Sequence, residues 1–584
     1  MPAKAFILAV TLTLTLVLNN CGPVQESAAD LILKNARIYT VNKELPWAQA
    51  VAIKGDRIVY VGDSEGAEAF AGNSTIYSDL GGRFVMPGII DGHTHPGMMN
   101  MEAYGRLLPK SGHDDLIAAV KARADTDPTD GWIKMCCWSN FDYLERDKKG
   151  PNKRDLDAVV SDQPVWITSL TWHSYWLNSK ALEVLGVTAE TPDPAPGIAT
   201  LERDEKGALT GWVKEGAGWQ FMAKHFPANM DTVKEGIDLS LKALSTHGVT
   251  TVFDGGNWDY DDEVYGYLSE LDSAGKLPLR YEGTYVVYLP ERRHIAVREM
   301  KRLSEAYGGE RLKFRTIKLF MDGTSPELAS GVLEPFILTK EKPGRTLLSI
   351  EELRDWLLEL HNERFDLHVH TIGDLAVRRV LDAVEAAKAI VGEDAFYPRV
   401  TVAHLELIDP SDWPRFGELG VSANFTPWWF GRTAGEDLYP ILGKARSRNI
   451  FPARGMIEAG SNVTFSSDDW GVETFTPFLG IQVGHNRQFP DEWMAEGDPF
   501  LEELRAPESD RIPLENMIRG YTANGAYPFR MEDTIGSIEV GKVADLLVLD
   551  ANPFEINRRT IHKIKPTAVM MVGVVIHGEL PGVP

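Results

Sequence analysis

Two closely spaced histidines near the start of the chain have the spacing of a metal site. The segment DGHTH, residues 91–95, directly follows an apolar run at residues 84–90. Alternate residues of a strand face the same side, so His93 and His95 would point together from the end of that strand. Neutral imidazoles placed in this way are good ligands for Zn²⁺ or a similar divalent metal. A bare pair of histidines is a weak signal, and its position at a strand end strengthens it.

Further residues of the same chemical kind lie in, or directly after, four other apolar runs. They are Lys318, His370, His404 and Asp468, and the runs are residues 315–320, 366–370, 400–404 and 463–466. Catalytic groups of β/α-barrel enzymes lie at the carboxyl ends of the strands. Each residue alone could be a core histidine or a capping aspartate, but the series on separate strands predicts one shared site.

Helical patterns separate these runs. Residues 350–360 place apolar side chains on one helix face, and residues 375–387 give a second helical pattern. Alternating strands and helices predict an α/β fold with parallel strands. Residues 87–527 are long enough for a (β/α)8 TIM-like barrel, with an insertion at about residues 100–235 that includes the Pro-rich turn at 191–197.

Both ends of the chain have the composition of β-strands. Val, Ile, Leu and Tyr are frequent at residues 31–41, 51–61, 545–550 and 568–576. Gly55-Asp56 predicts a hairpin turn within the second of these segments. We therefore expect residues 30–86 and 528–584 to form one composite β-sandwich beside the barrel.

Composition and charge indicate which classes of partner the protein could bind. The 584 residues are 43% hydrophobic and 25% charged, which is typical of a large globular protein. A formal net charge of −24 would repel a polyanion, and the sequence has no long Lys/Arg run, so we expect no nucleic-acid partner. The expected partner is a small-molecule substrate, and the oligomeric state, including a homo-oligomer, stays open.

The first 21 residues have the pattern of an export signal. Lys4 precedes an uncharged, mostly apolar stretch at residues 5–18, shorter than the ~20 residues of a membrane-spanning helix. The following LNNC at residues 18–21 resembles the bacterial lipoprotein box, although Asn20 replaces the usual small residue. We expect an exported bacterial protein, periplasmic or anchored to a membrane through lipidated Cys21. Simple signal cleavage nearby is the alternative.

The remaining cysteines, Cys136 and Cys137, are adjacent in the sequence. Neighbouring cysteines rarely meet disulfide geometry, and their spacing is not that of a zinc finger. We expect two half-buried thiols.

Taken with its other motifs, the sequence resembles the amidohydrolase superfamily, and within it the YtcJ-like group that includes N-substituted formamide deformylases. The resemblance covers nearly the whole chain after residue 30. Residues 85–95 and 536–545 are specific for the superfamily, and the segments of Lys318 and His370 point to the subgroup. Other matching stretches are residues 154–157, His173 with 178–182, Thr210-Gly211 followed by Glu215, 318–323, 370–374, His404 and Ser467-Asp468.

The resemblance implies a metal site with the ligands His93, His95, Lys318, His370, His404 and Asp468. The first two histidines would bind the more buried of two divalent ions, and the other two the more exposed one. Zinc is the expected metal, with Mn, Fe or Co as alternatives. A carboxylated Lys318 would bridge both ions, whereas a free Lys318 amine would go with a single ion. Asp468 would contact the buried ion and the attacking water.

A second histidine competes for one of these ligand positions. His368 lies two residues before His370 and faces the same way on a strand, so either could bind a metal. The following Gly373-Asp374 matches the family pattern for His370 and would leave His368 one layer deeper.

Two segments depart from the family pattern. Met135 and Cys137, beside Trp138, stand where glycines are usual, and Asp469-Trp470 replaces Ala-Pro. Bulk at these places would reshape the wall and the mouth of the pocket, which puts the family's substrate preferences in doubt here.

Aromatic clusters in loops are the expected pocket walls. Trp428 and Trp429 follow the strand-like residues 421–425, and residues 172–176 could form a lid. The expected substrate contacts are His173, Trp138, Asp322, Trp428 and Trp429.

The expected reaction is hydrolysis of a non-peptide C–N bond, amide-like or formamide-like, in a small molecule. A bound metal lowers the pKa of water to about 7, and Asp468 would take the water proton and pass it to the leaving amine. The alternatives are a hydrolase of the same fold that acts on an ester, lactone or carbamate, and a non-catalytic exported binding protein. The intact ligand set argues against the last.

Overall fold

The computed structural model describes most of the chain after the N-terminal signal pattern. The described residues are 28–98, 106–107, 112–126, 131–140, 143, 150–338, 345–431, 438–469, 474–493 and 507–583. The predicted signal at residues 1–21, with Cys21, lies outside them, as does Trp470.

Parallel strands that follow one another in the chain form a closed ring. They are Ile89–Thr94, Val249–Asp254, Arg280–Glu282 with Val286–Val287, Leu312–Lys313 with Thr316–Phe320, Asp366–Thr371, Val400–His404, Ser422–Phe425 and Asn462–Phe465. Each pairs in parallel with the next. The backbone returns to the first strand through Asp468 N to His93 O, 2.8 Å, and His95 N to Asp469 O, 2.7 Å. The carboxyl ends of the strands therefore share one rim.

Several ring strands are buried on both faces. Every residue of Val249–Asp254, Asp366–Thr371 and Val400–His404 is buried, as expected for parallel strands covered by helices. The four predicted apolar runs at 315–320, 366–370, 400–404 and 463–466 are confirmed as buried ring strands.

Helices cover the outside of the ring. The predicted helix at 350–360 is confirmed as Ile350–Glu363, which begins with a capping box of Ser349 and Glu352. The second predicted helix extends over Asp374–Val391. The other α-helices are Ser64–Ala67, His113–Thr126, Lys153–Asp157, Ser179–Leu185, Gly216–His225, Met230–Thr246, Asp261–Ser273, Arg293–Tyr307, Trp413–Leu419, Tyr439–Arg448, Ala453–Glu458, Pro477–Asn486, Leu514–Gly520 and Ala523–Ala526. Among the helices of the described residues, none has both the length and the apolar character that a membrane crossing requires.

Two further sheets lie at the chain ends. One consists of Leu31–Lys34, Ala50–Lys54, Arg57–Gly62 and Ile76–Asp79, and the other of Arg37–Tyr39, Trp47–Ala48, Phe84–Pro87, Leu546–Leu549, Pro566–Met571 and Val574–Gly578. The second sheet pairs N-terminal with C-terminal strands. Leu33 and Val51 of the first sheet share an apolar cluster with Val85 and Leu546 of the second. The chain ends therefore fold together.

Turn geometry decides where the terminal strands begin and end. The predicted hairpin at Gly55-Asp56 is confirmed, because Lys54 pairs with Arg57. The run 31–41, read as one strand, divides at Asn35, whose φ is 55°. The run 84–90 divides at Gly88, where a Cβ would lie 2.6 Å from Thr250 Oγ1. Only glycine allows that close approach. At Gly88 the chain leaves the terminal sheet and enters the first ring strand.

A mixed sheet lies between the first and second ring strands, in the region predicted as an insertion. Its strands are Arg106–Leu107, Ile133–Trp138, Val165–Ser169, Ser174–Leu177, Leu201–Arg203 and Leu209–Lys214. Cys136 and Cys137 in this sheet form a disulfide, so the prediction of two free thiols is wrong. Cys137 adopts a left-handed backbone with φ 84°, which turns its side chain back towards Cys136.

Candidate metal centre

Three histidines surround the carboxylate of Asp468 at the rim of the ring. Asp468 Oδ1 lies 3.4 Å from Nε2 of both His93 and His95. Asp468 Oδ2 lies 3.3 Å from His404 Nδ1. Candidate ligand atoms of His93, His404 and Asp468 all fall within 4.8 Å of one another. The group is close enough for one ion to contact several of its members.

Lys318 and His370 complete the set of predicted ligands. Lys318 Nζ lies 3.3 Å from His93 Nε2, and its side chain is fully buried. The ring centroids of His370 and His404 are 4.4 Å apart. The structure thus brings all six predicted residues to one place.

Backbone contacts fix which aspartate faces the histidines. The Asp91 carboxylate accepts hydrogen bonds from His93 N, 3.2 Å, and Ser467 N, 3.0 Å, and so joins the first strand to the segment after the last. Asp469 instead offers its carbonyl oxygen to His95 N and to Thr94 Oγ1, 2.5 Å. Asp468, with φ 48°, turns its carboxylate into the cluster.

His368 lies in the layer below the cluster. Its Nε2 is 2.8 Å from His93 Nδ1, and its ring stacks on Phe253 with centroids 4.3 Å apart. His95 Nδ1 in turn lies 3.2 Å from the carbonyl oxygen of Gly256. Both contacts leave Nε2 of His93 and His95 facing Asp468, which is the arrangement of metal-binding histidines oriented by outer partners.

Burial sets the protonation states of the group. It lowers the pKa of His93 and His370 well below the usual value, that of His404 to about 3, and that of Lys318 to about 7. Burial alone would raise the pKa of Asp468, but its interactions with His404, a hydrogen bond from His95 and the nearby Lys318 outweigh burial, so the carboxyl pKa is lowered. Neutral imidazoles beside an ionised carboxylate are the forms that bind a metal.

The residues present fit a divalent metal ion. Within the described part of the chain, His370 Nε2 and both ring nitrogens of His404 are buried without a hydrogen-bond partner. Leaving such atoms unpaired costs free energy. Imidazole nitrogens and a carboxylate form the donor set that Zn²⁺ and similar ions accept, so coordination would satisfy His370 Nε2 and one of the two ring nitrogens of His404.

Three of the predicted substrate contacts lie at or beside this centre. The ring of Trp429 stacks on His404, with centroids 5.6 Å apart and 18° between planes. Trp428 donates from Nε1 to Ser467 O, 2.6 Å, and so supports the segment before Asp468. His173 of the insertion lies with its ring centroid 5.5 Å from that of His370.

His173 is held by a buried carboxylate. Its Nδ1 is 2.6 Å from Glu215 Oε2. Burial lowers the pKa of His173, but Glu215 outweighs this and the pKa is raised. Thr324 donates to Glu215 from its backbone N, 2.8 Å, and its Oγ1 contacts Glu327. The insertion is therefore attached to the rim by a polar network.

The structure places the other two predicted substrate contacts elsewhere. The Asp322 carboxylate accepts backbone hydrogen bonds from Gly331, Ile372 and Gly373, at 2.8, 3.0 and 2.8 Å. It thereby supports the loop after His370. Trp138 is 1% exposed and donates to Ile167 O, 3.1 Å, within the core of the insertion. Both side chains thus make hydrogen bonds that support the structure around them.

The sequence patterns did not predict several other aromatic residues that lie beside the candidate ligands. Trp258 stacks on His95, and Trp219 contacts Trp258, His173 and Phe320. Phe320 and Trp258 lie at or just after the carboxyl end of a ring strand, which is the one signal that could have found them. Nothing in the local sequence indicates that Trp219 lies beside the candidate ligands.

A family model described as "Amidohydrolase family" matches residues 77–580, which include every residue of the cluster. The chain belongs to the amidohydrolase family. The family resemblance expected from the motifs is confirmed.

Several curated relatives of this amidohydrolase match over most of its length. The exoenzymes regulatory protein AepA of Pectobacterium carotovorum subsp. carotovorum is 30% identical, over 69% of this chain and 86% of that protein. The N-substituted formamide deformylase of Arthrobacter pascens is 25% identical, over 93% of this chain and 98% of the relative. The putative amidohydrolase YtcJ of Bacillus subtilis (strain 168) is 26% identical, over 92% and 98%. The YtcJ-like resemblance is therefore also confirmed.

A solved structure shares the fold of this amidohydrolase. It is that of an uncharacterized metal-dependent hydrolase from Pyrococcus horikoshii OT3, with a TM-score of 0.66 at 22% sequence identity. The match covers 90% of this chain and 99% of the other. At this identity the similarity concerns the fold alone.

Proposed function

We propose that this amidohydrolase is a metal-dependent hydrolase that cleaves a non-peptide C–N bond in a small amide or formamide. The observation that carries the proposal is the convergence of His93, His95, His404 and Asp468, with buried imidazole nitrogens of His370 and His404 left unpaired among the described residues. The relative from Arthrobacter pascens, an N-substituted formamide deformylase, supports this substrate class.

The cluster would hold one or two divalent ions, with zinc expected, through the ligands His93, His95, Lys318, His370, His404 and Asp468. A bound ion of this kind lowers the pKa of water towards about 7 and polarises a carbonyl group. Asp468, ionised at neutral pH, accepts the proton of the attacking water and returns it to the leaving nitrogen. An amine leaves as a neutral molecule only with that proton.

We also propose that Lys318 is carboxylated. Burial lowers the pKa of its amine to about 7, so much of the amine is uncharged at neutral pH. The nitrogen attacks the carbon of CO₂, an N–C bond forms and one proton is released, which gives a carbamate with two oxygen ligands. A free amine beside a single metal is the alternative.

The wall around the cluster would provide the substrate contacts. His173, held by Glu215, and Trp429, stacked on His404, are the predicted contacts that lie against the candidate ligands. We assign the parallel ring to a (β/α)8 barrel and the terminal sheets to a composite β-sandwich. We further propose that the protein is exported and anchored to a membrane through Cys21.

Two other functions use the same site. An ester, lactone or carbamate hydrolase would attack its carbonyl in the same way, and only the shape of the pocket discriminates. A non-catalytic binding protein is the other candidate, and the similarity to AepA, an exoenzymes regulatory protein, favours it.

Matched chromogenic substrates separate these functions. 4-Nitroacetanilide and 4-nitrophenyl acetate share the acyl group and differ in the atom that leaves, and 4-nitroformanilide adds the formamide. We expect hydrolysis of the anilides, loss of activity after chelation, and recovery with Zn²⁺, Mn²⁺ or Co²⁺. Turnover of the ester alone would favour the ester, lactone or carbamate hydrolase. Absence of turnover with all three after metal addition would contradict the hydrolase proposal.

A further inference from the structure

His173 is carried to the metal centre by a hairpin turn of the insertion. The turn joins the antiparallel strands Val165–Ser169 and Ser174–Leu177. It places the ring centroid of His173 5.5 Å from that of His370. Glu215 occupies Nδ1 of His173, and the side chain of His173 keeps 17% of its surface exposed. Nε2 is therefore the ring nitrogen through which His173 can contact a substrate.

Both sides of this turn are attached to one carboxylate, that of Glu327. Thr171, two residues before His173, donates from Oγ1 to Glu327 Oε1 at 2.5 Å. Ser174, the next residue after His173, donates from Oγ to the same oxygen at 3.2 Å. Asn140, in a separate segment of the insertion, donates to it from Nδ2 at 2.6 Å. The hydrogen bonds of Thr171 and Ser174 fix the turn on either side of His173.

The other oxygen of Glu327 attaches the turn to the rim of the ring. Thr324, in the loop after the ring strand Thr316–Phe320, contacts Glu327 Oε2 through its hydroxyl group. The backbone N of Thr324 donates to Glu215 Oε1 at 2.8 Å, and the other oxygen of Glu215 binds His173 Nδ1. Glu327 thus connects the turn that carries His173 to the rim, and Thr324 links the two carboxylates.

Glu327 is a costly residue to bury. It is 0% exposed, and burial raises the pKa of its carboxyl group. The groups that hydrogen-bond to it within the described part of the chain are the amide of Asn140 and three hydroxyl groups, all of them neutral. A buried carboxylate without a cation in contact costs free energy, so it calls for a physical explanation. Its contacts indicate that its role is to place the turn.

We propose that Glu327 is a positioning residue, which holds the turn so that His173 Nε2 lies beside the metal centre and contacts the bound substrate. The inference rests on the proposed function, and it gives Glu327 a part in substrate binding that no sequence pattern indicates. Without Glu327 the turn loses hydrogen bonds on both sides of His173, and the imidazole no longer keeps one position. A contact group that is already ordered binds more tightly, because less conformational freedom is lost on binding.

Removal and conservative replacement of Glu327 test how it acts. Glu327→Ala removes every contact, so we expect KM for 4-nitroacetanilide to rise about tenfold with little change in kcat. Glu327→Gln keeps the shape and an oxygen that accepts from the turn, so it should retain most of the wild-type kcat/KM. Metal content should be unchanged in both variants. An equal loss in both would show that the charge of Glu327 matters and not its hydrogen bonds to the turn, which would overturn the proposal.

A double-mutant cycle tests whether Glu327 acts through His173. In the His173→Ala background, Glu327→Ala should change kcat/KM less than about twofold, because the positioned group is already absent. Independent losses that multiply in the double variant would show that Glu327 acts without His173, and the proposal would fall. Thr171→Val, which removes one hydroxyl group from the turn, takes the place of Glu327→Ala in the same cycle if that variant does not fold.

Asp272→Ala is the control for the general cost of removing a buried carboxylate. Asp272 is 9% exposed and lies on the helix Asp261–Ser273. It accepts from the backbone N of Arg311 and of Leu312 at 3.0 and 3.1 Å. Its replacement should lower Tm but leave kcat/KM unchanged. A fall in kcat/KM equal to that of Glu327→Ala would give Glu327 only a structural role and contradict the proposal.

Chemical modification follows the position of His173 without any turnover. Diethyl pyrocarbonate acylates accessible imidazole nitrogens, and mass spectrometry measures the rate at each histidine. In Glu327→Ala, His173 should be modified several times faster than in the wild type, because the freed turn exposes its ring. His294, which is exposed, should react at the same rate in both proteins.

These readouts separate the inference from the proposed function. If the wild type hydrolyses none of the anilides but the modification of His173 is faster in Glu327→Ala, the proposed function fails and the positioning role of Glu327 stands. If the wild type hydrolyses them and neither KM nor the modification rate changes, the positioning role fails. Absence of hydrolysis together with an unchanged modification rate overturns both.

Discussion

His368 Nε2 lies 2.8 Å from His93 Nδ1, and this contact determines how His93 faces the cluster. For His93 Nε2 to keep its lone pair for a metal, the ring proton must be on Nδ1, where His368 accepts it. His368 therefore acts as a positioning residue below the site.

Replacing His368 by Phe should weaken metal binding. Phe keeps the stack on Phe253 but removes the acceptor for His93, and loss of such outer partners typically costs about 10–100-fold in metal affinity. Competition with a chromogenic chelator measures the affinity. His294→Phe, at an exposed position of the helix Arg293–Tyr307, is the control. Unchanged affinity in the His368 variant would show that His93 needs no partner.

Asp468→Asn should abolish turnover while the fold and at least one metal remain. The amide still offers an oxygen but cannot accept the water proton, and general-base catalysis typically contributes about 10²–10⁴ in rate. Steady-state kinetics, circular dichroism and elemental analysis check the three parts.

Asp469→Asn is the matched control for that variant. Asp469 contacts the first strand through its carbonyl oxygen, which the substitution leaves in place, so activity should fall far less. Equal losses in the two variants, or a loss only at Asp469, would contradict the assignment of Asp468 as the base.

Lys318→Ala should inactivate the enzyme, and a short carboxylate should restore part of the activity. If Lys318 acts as a carbamate, propionate can fill the space with two oxygen ligands, whereas propylamine cannot. Lys313→Ala, at an exposed position of the same sheet region, should keep full activity. Rescue by propylamine and not by propionate would indicate that the free amine is the functional form.

Cys21→Ser should release the protein from the membrane fraction if Cys21 is the lipidated N-terminus. Mass spectrometry of the wild type should then find a diacyl or triacyl modification on Cys21. An unmodified N-terminus at another residue, with fractionation unaffected by the substitution, would favour simple signal cleavage.

Local patterns in the sequence predict much of the site. His93 and His95 are two apart on a strand, and His370, His404 and Asp468 end or follow other strands, so a parallel ring must bring them to one rim. The apolar runs that carry them are buried on both faces, and their hydrophobic signal is strong.

Features that depend on distant packing could not be predicted. Trp138 has the residue type of a pocket wall, but its indole donates to Ile167 O inside the insertion. Asp322 lies next to a site strand, but backbone groups from two loops occupy its oxygens. Cys137 forms a disulfide with Cys136 and has a left-handed backbone, which its residue type does not indicate. In each case the partner or the backbone angle is set by tertiary structure, of which the local sequence carries no trace.

Anomalous diffraction at the zinc edge, from a crystal of the wild-type protein supplied with Zn²⁺, tests the central claim most directly. We expect one or two strong peaks at the rim, with imidazole nitrogens of His93 and His95 and an oxygen of Asp468 at about 2.1 Å from the nearer ion. A second peak should be enclosed by His370 and His404, with Lys318 between the two. A map without a peak among these residues, or with its strongest peak elsewhere on the protein, would contradict the account.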